Sequence, residues 1–117
     1  TFKLNHLLQD GVHLGLVDFD SMVLGDPPYD VAKCTADLHY LEAHGVLPAG
    51  RAARLGRIFY DAWSDQVPWG RRDAVLDWYV SCLLVRKQAL KPVKHLHPDA
   101  PAKIGRVLAV ALERLGG

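Results

Sequence analysis

Two carboxylates one residue apart, Asp18 and Asp20, close a hydrophobic run near the start of this 117-residue chain, and Asp26 and Asp30 follow within ten residues. Side chains repeat every two residues along a strand. An extended Val17-Asp18-Phe19-Asp20 would therefore turn both acids the same way, about 7 Å apart. Paired acids ahead of a glycine-containing loop suit a hard divalent cation such as Mg²⁺, which takes one or two carboxylates and completes its shell with phosphate oxygens and water. The same pair would serve equally as a solvated strand end, and spacing alone leaves both readings open. Asp26 and Asp30 flank Pro27-Pro28-Tyr29, where acids commonly cap a helix and offset its dipole.

The elements that must position these residues are short. Residues 4–9 and 12–19 are apolar runs separated by Asp10-Gly11, a dipeptide suited to a tight hairpin turn. Beyond Gly25 the pattern is helical. One helix, capped by Asp26 and started by Pro27 or Pro28, places Val31, Cys34, Leu38 and Leu41 on one face and stops at Gly45. A second, over 49–64, turns Leu55, Ile58, Phe59 and Ala62 inward and Arg51, Arg54, Arg57 and Asp61 outward. A third, over 71–90, is read as central and mostly buried, because ten of the twelve residues from Ala74 to Val85 are apolar. A basic loop, 91–97, leads to a last amphipathic helix over 101–115 that aligns Ile104, Leu108, Ala111 and Leu115. The expected fold class is α+β, mainly α: a metal-site hairpin and loop in residues 1–24, then a helical bundle in 25–117.

The segment Val17-Asp18-Phe19-Asp20, followed by Gly25-Asp26-Pro27-Pro28-Tyr29-Asp30-Val31-Ala32, resembles the aminoglycoside phosphotransferases and related small-molecule kinases, whose fold is protein-kinase-like. It is similar to their metal-binding strand end and their Gly-Asp-Pro-x-x-Asp-Leu-Ala helix start. More loosely, Leu84 to Pro92, with Arg86, Lys87 and Lys91, resembles their C-terminal helical region. The resemblance implies the C-terminal lobe of an enzyme that passes phosphate from ATP to a hydroxyl of an aminoglycoside, sugar or amino alcohol. Asp18 would hold Mg²⁺ on the nucleotide phosphates, Asp20 would be a second or water-mediated ligand, Asp26 would tie its loop to the catalytic loop, and Asp30 would orient the helix start.

The chain departs from that family at two places. The family's catalytic loop reads His-Gly-Asp, four residues, then Asn, which sets Thr1 at the position of the catalytic Asp and His6 at the position of the metal-holding Asn. Threonine is no base near neutral pH, and imidazole is a poor Mg²⁺ ligand. Asn5 lies one residue off. The glycine-rich strand pair and lysine of the N-terminal lobe are not within these residues, so the resemblance implies a missing N-terminal lobe. A non-catalytic, pseudokinase-like nucleotide-binding or regulatory module is the alternative, and a plain helical interaction domain is a third.

Charge narrows the field. The net charge of +1 divides into 5 Lys/Arg against 9 Asp/Glu in residues 1–65 and 9 against 4 in 66–117. That split, with no interleaving of basic and aromatic residues, argues against a nucleic-acid binder. No apolar run approaches the ~20 residues of a membrane span. Cys34 and Cys82 read as reduced core thiols of a cytoplasmic protein, with a disulfide between them as the alternative. His95-x-His97 lacks the partners of a zinc site. Arg86, Lys87, Lys91 and Lys94 read either as a contact for phosphate or an acidic partner or as solvated charge at a helix end. Trp63, Trp69, Trp78 and Tyr79 read either as core or as a cleft lining.

Overall fold

Prolines and glycines punctuate the chain where the sequence places them. The computed structural model describes residues 3–20, 22–95 and 98–116, without the side chains of Gln88 and Pro92. A 3₁₀ turn, Leu4–His6, leads into an antiparallel hairpin of β1 (Leu7–Asp10) and β2 (His13–Leu16). Helices α1 (Pro28–Ala43), α2 (Arg51–Ser64) and α3 (Asp73–Leu83) follow, then a π-helical turn (Leu84–Gln88), the single turn α4 (Lys91–Lys94) and α5 (Ala100–Gly116). The result is a compact, mainly helical α+β fold in which α1 and α3 pack together, α2 covers α1, and α5 covers α3.

The hairpin register pairs Leu7 with Leu16 and Asp10 with His13, so the two turn residues are Gly11 and Val12. The turn is thus one residue later than the Asp10-Gly11 expectation. Gly11 takes the left-handed conformation, φ +57°, that a tight hairpin needs at its first turn position. Neither strand packs substantially on a helix. A lone two-stranded hairpin is marginal in water, and this one is held at its base by Leu4, which packs against Cys34, Leu38 and Ala52.

In α1, Val31, Cys34 and Leu38 are buried as the pattern requires, and the helix gives way to Gly45 at φ +75°. Asp26 does not cap it. Pro27 is the N-cap, and no side chain caps the first turn.

The inward face of α2 differs from the sequence reading. Ile58, Phe59 and Ala62 are exposed, and the buried stripe is Ala52, Gly56, Tyr60 and Ser64. The cause is a close approach to α1: a Cβ on Gly56 would lie 3.0 Å from Thr35 Cγ2. Small residues four apart let the two backbones approach, and that contact outweighs the burial of Ile58 and Phe59 elsewhere.

The long buried helix expected over 71–90 is shorter and more exposed. It runs 73–83 and widens into the π turn; Leu76, Val80, Leu83 and Leu84 are buried, while Trp78 and Val85 face solvent. The expected pair of core thiols is likewise divided, with Cys34 buried and Cys82 exposed. Burial pushes the Cys34 thiol up to about 11, with the Asp37 carboxylate adding to the effect, so it stays protonated and inert. In α5, Val107 and Ala111 are buried, Ile104 and Leu108 pack at the edge of the core, and Leu115 is exposed. No helix among the described residues is long and apolar enough to cross a membrane.

Candidate functional site

The backbone sets the first wall of the site. His6 N–H donates to the Lys3 carbonyl at 3.0 Å, closing the 3₁₀ turn, and Val17 N–H donates to the His6 carbonyl at 3.1 Å. That second bond carries the hairpin pairing one step beyond β2 and sets His6 beside Asp18. His6 Nε2 lies 3.1 Å from Asp18 Oδ2, with the imidazole buried and the carboxylate half exposed.

Asp18 has φ +68°, the left-handed region, where aspartate is tolerated better than most residues. This overturns the expected geometry of the acidic pair. β2 stops at Leu16, so the alternation that would align Asp18 with Asp20 is broken at Asp18 itself. Asp18 lines the cleft described next, and Asp20, in the turn that follows, does not.

The cleft has a volume of about 550 Å³, the size of a small-molecule site. It is lined by His6 and Asp18, by the segment from Met22 to Pro27, and by Tyr29, Asp30 and Tyr79. Tyr29 and Tyr79 meet edge to face with ring centroids 5.4 Å apart. Asp26 is the fastening. It accepts from Arg72 Nη1 at 2.8 Å and from the Tyr79 hydroxyl at 3.2 Å, while Arg72 N–H donates to the Tyr60 hydroxyl at 2.6 Å. The Tyr79 hydroxyl is pushed up by burial and by its bond to Asp26, so it remains a donor. Asp26 therefore binds the start of α1 to the α2–α3 connection and to α3, through Arg72 and Tyr79.

The charged lining is acidic: Asp18, Asp26 and Asp30. Bare phosphate would be repelled unless a cation accompanied it. Among the described residues no three His, Cys, Asp or Glu side chains gather to hold a metal. An ion at Asp18 would therefore have to complete its shell with phosphate oxygens and water rather than with an all-protein cage. His6 engages one Asp18 oxygen, Oδ2, which leaves Oδ1 as the oxygen available to such an ion.

Thr1 and His97 lie outside the described residues. Of the aromatics, Tyr79 lines the cleft, Trp63 packs on the core beside Tyr60, and Trp69 and Trp78 are half exposed and line neither. Arg72 had no sequence signal: it stands in an exposed connection, and its role depends on a partner 46 residues away. The His6–Asp18 contact was concealed in the same way by the intervening hairpin. Comparison with family models, curated proteins and solved structures returns no match, so the site stands on its geometry.

Proposed function

We propose that this chain is part of an ATP-dependent small-molecule phosphotransferase, with Asp18 as the residue that holds Mg²⁺ on the nucleotide. The observation that carries the reading is the acidic cleft, in which Asp18 presents one open carboxylate oxygen beside a glycine-containing loop fastened by Asp26, Arg72 and Tyr79. An acidic lining and a phosphate ligand are compatible only through a cation, and Mg²⁺ would supply charge neutralisation as the terminal P–O bond to the nucleoside diphosphate breaks and a bond to the acceptor hydroxyl forms. His6 orients the Asp18 carboxylate. Asp26 and Arg72 keep the loop and the α1 start in place, and Tyr29 and Tyr79 give the cleft an aromatic surface. In this reading a missing N-terminal lobe supplies the rest of the nucleotide site and covers the apolar residues left exposed on the hairpin.

One observation favours a non-catalytic, nucleotide-binding module instead: His6 occupies an oxygen of Asp18 that a second metal contact would need. Titration of ATP with and without Mg²⁺ separates the readings. Mg²⁺-dependent ATP binding that disappears in Asp18→Asn supports the phosphotransferase site. Binding without phosphate transfer to any of a panel of hydroxylated acceptors supports the silent module, and binding unaffected by Asp18→Asn refutes both.

A further inference from the structure

A second cavity, of about 290 Å³, opens among α1, α2, α3 and α5 and shares no lining residue with the Asp18 cleft. Helix α2 presents Ala53 and Gly56 to it, whose small size leaves space that larger side chains would fill. Charge of both signs lines the rest: Arg57, Arg71 and Arg114 with Asp73 and Asp77. Most of these groups are committed to one another. Arg71 donates to Asp61 and, at 3.1 Å, to Asp73 Oδ1, and its guanidinium lies 4.6 Å from the centre of the Tyr60 ring. Arg114 Nη1 donates to Asp77 Oδ1 at 2.5 Å, and its Nη2 to His39 Nε2 at 3.2 Å.

Arg57 is different. It is exposed, one residue beyond Gly56, and has no hydrogen bond or ion pair among the described residues. Asp77 meets Arg114 through Oδ1 alone, so its Oδ2 remains an open acceptor. The fixed pairs cancel in charge, which leaves the cavity with one excess positive charge, on Arg57, and one open carboxylate oxygen, on Asp77. A guanidinium fork grips a carboxylate through two parallel hydrogen bonds, and an aspartate oxygen accepts from an ammonium. A phosphate dianion would meet Asp73 and Asp77 as well as Arg57, and a simple amine would meet three guanidiniums. The volume stands at the lower end for ligand sites, so the occupant is small. Because Arg71 and Arg114 are already held in place, binding need not order them.

We propose that this cavity binds a free α-amino acid or a zwitterion of similar size, its carboxylate on Arg57 and its ammonium on Asp77. The site goes beyond the phosphotransferase reading and does not depend on it, since Asp18 takes no part.

The test is titration of glycine, L-alanine, L-serine and L-glutamine into the whole chain, followed by the amide resonance of Gly56. At least one should bind with a Kd of about 10 mM or below. Arg57→Gln should weaken that binding at least about tenfold, since a bidentate charge-assisted contact is lost. With no partner to lose, this variant should unfold at the same denaturant concentration as the unsubstituted protein, and earlier unfolding would make Arg57 a structural residue and overturn the proposal. Arg54→Gln removes the same charge from an exposed position of α2 outside the cavity and should leave binding unchanged. No amino acid bound by about 10 mM, or equal weakening in the Arg57 and Arg54 variants, overturns the proposal. So does loss of binding in Asp18→Asn, which would place the ligand in the cleft. Acetate and ethanolamine each carry half of the zwitterion and should bind at least about tenfold more weakly than the best amino acid. Either half, or inorganic phosphate, binding as tightly would show that one charge suffices and overturn the zwitterion assignment.

Discussion

Leu84 is completely enclosed between α1, α3 and α5, whereas Leu24, sixty residues earlier, stands wholly in solvent. The contrast extends to the regions around them. The helical body buries Val31, Val80, Leu84 and Val107 in one continuous cluster. The hairpin and the loop after it leave Val12, Leu14, Met22, Val23 and Leu24 exposed. The body is stabilised by apolar contact among its own elements. The hairpin region is positioned by a few specific ties, namely Leu4 at its base, His6 to Val17 in the backbone, and Asp26 to Arg72 and Tyr79. A radius of gyration of 14.6 Å, against about 13 Å expected for a compact chain of this length, reflects the projecting hairpin. The cleft lies where the two regions meet, so one wall is built on the packed helices and the other on those few ties.

Substitutions can break or sharpen this contrast. Leu84→Ala should destabilise the protein by about 3 kcal/mol in chemical denaturation, because the packed surroundings cannot close on the space left. Leu14→Ala, on the exposed hairpin, should cost under about 0.5 kcal/mol. Equal costs would mean that the hairpin is part of the core.

Acid should weaken the body selectively. Burial, and then the neighbouring Arg114 guanidinium, hold His39 at about 4 against 6.5 when unfolded, with Arg114 Nη2 donating to its Nε2 at 3.2 Å. Above pH 6.5 both states are neutral. Between 6.5 and 4 the unfolded chain takes up a proton that the folded chain refuses, so stability falls as pH falls, by at most about 3 kcal/mol. His39→Gln keeps an acceptor for Arg114 and should flatten that part of the stability–pH curve. A curve of unchanged slope would remove His39 as its cause.

Gly56→Leu should cost about 2 kcal/mol by forcing α2 off Thr35; a neutral result would show that the two helices can relax apart. Arg72→Ala should change unfolding by no more than about 1 kcal/mol, since its pair with Asp26 is partly exposed, yet reduce Mg²⁺-dependent ATP binding by loosening the loop. A similarly small effect on stability belongs to Asp18→Gly. Relief of the left-handed backbone offsets removal of the carboxylate from His6, so unfolding should shift by about 0.5 kcal/mol or less while Mg²⁺-dependent ATP binding disappears. A large drop in stability there would make Asp18 a structural residue.

The hairpin, the start of α1 and the four longer helices were legible because each depends on neighbours within a few residues. The acidic segment was legible as the place where chemistry concentrates. Its geometry was not, since a single left-handed residue at Asp18 cancels the two-residue alternation and removes Asp20 from the cleft.

What the sequence by itself determined are local features: proline starting α1, Gly45 ending it, a glycine in the hairpin turn, and acids near the Gly25 loop. Backbone sterics and short-range periodicity suffice for these. The tertiary structure decided which stripe of α2 is buried, because the approach of Gly56 to Thr35 outweighs the larger apolar side chains. It also decided what Asp26 holds, because its partners lie 46 and 53 residues away. Contacts at that separation are selected by packing of the whole chain, and no local pattern encodes them.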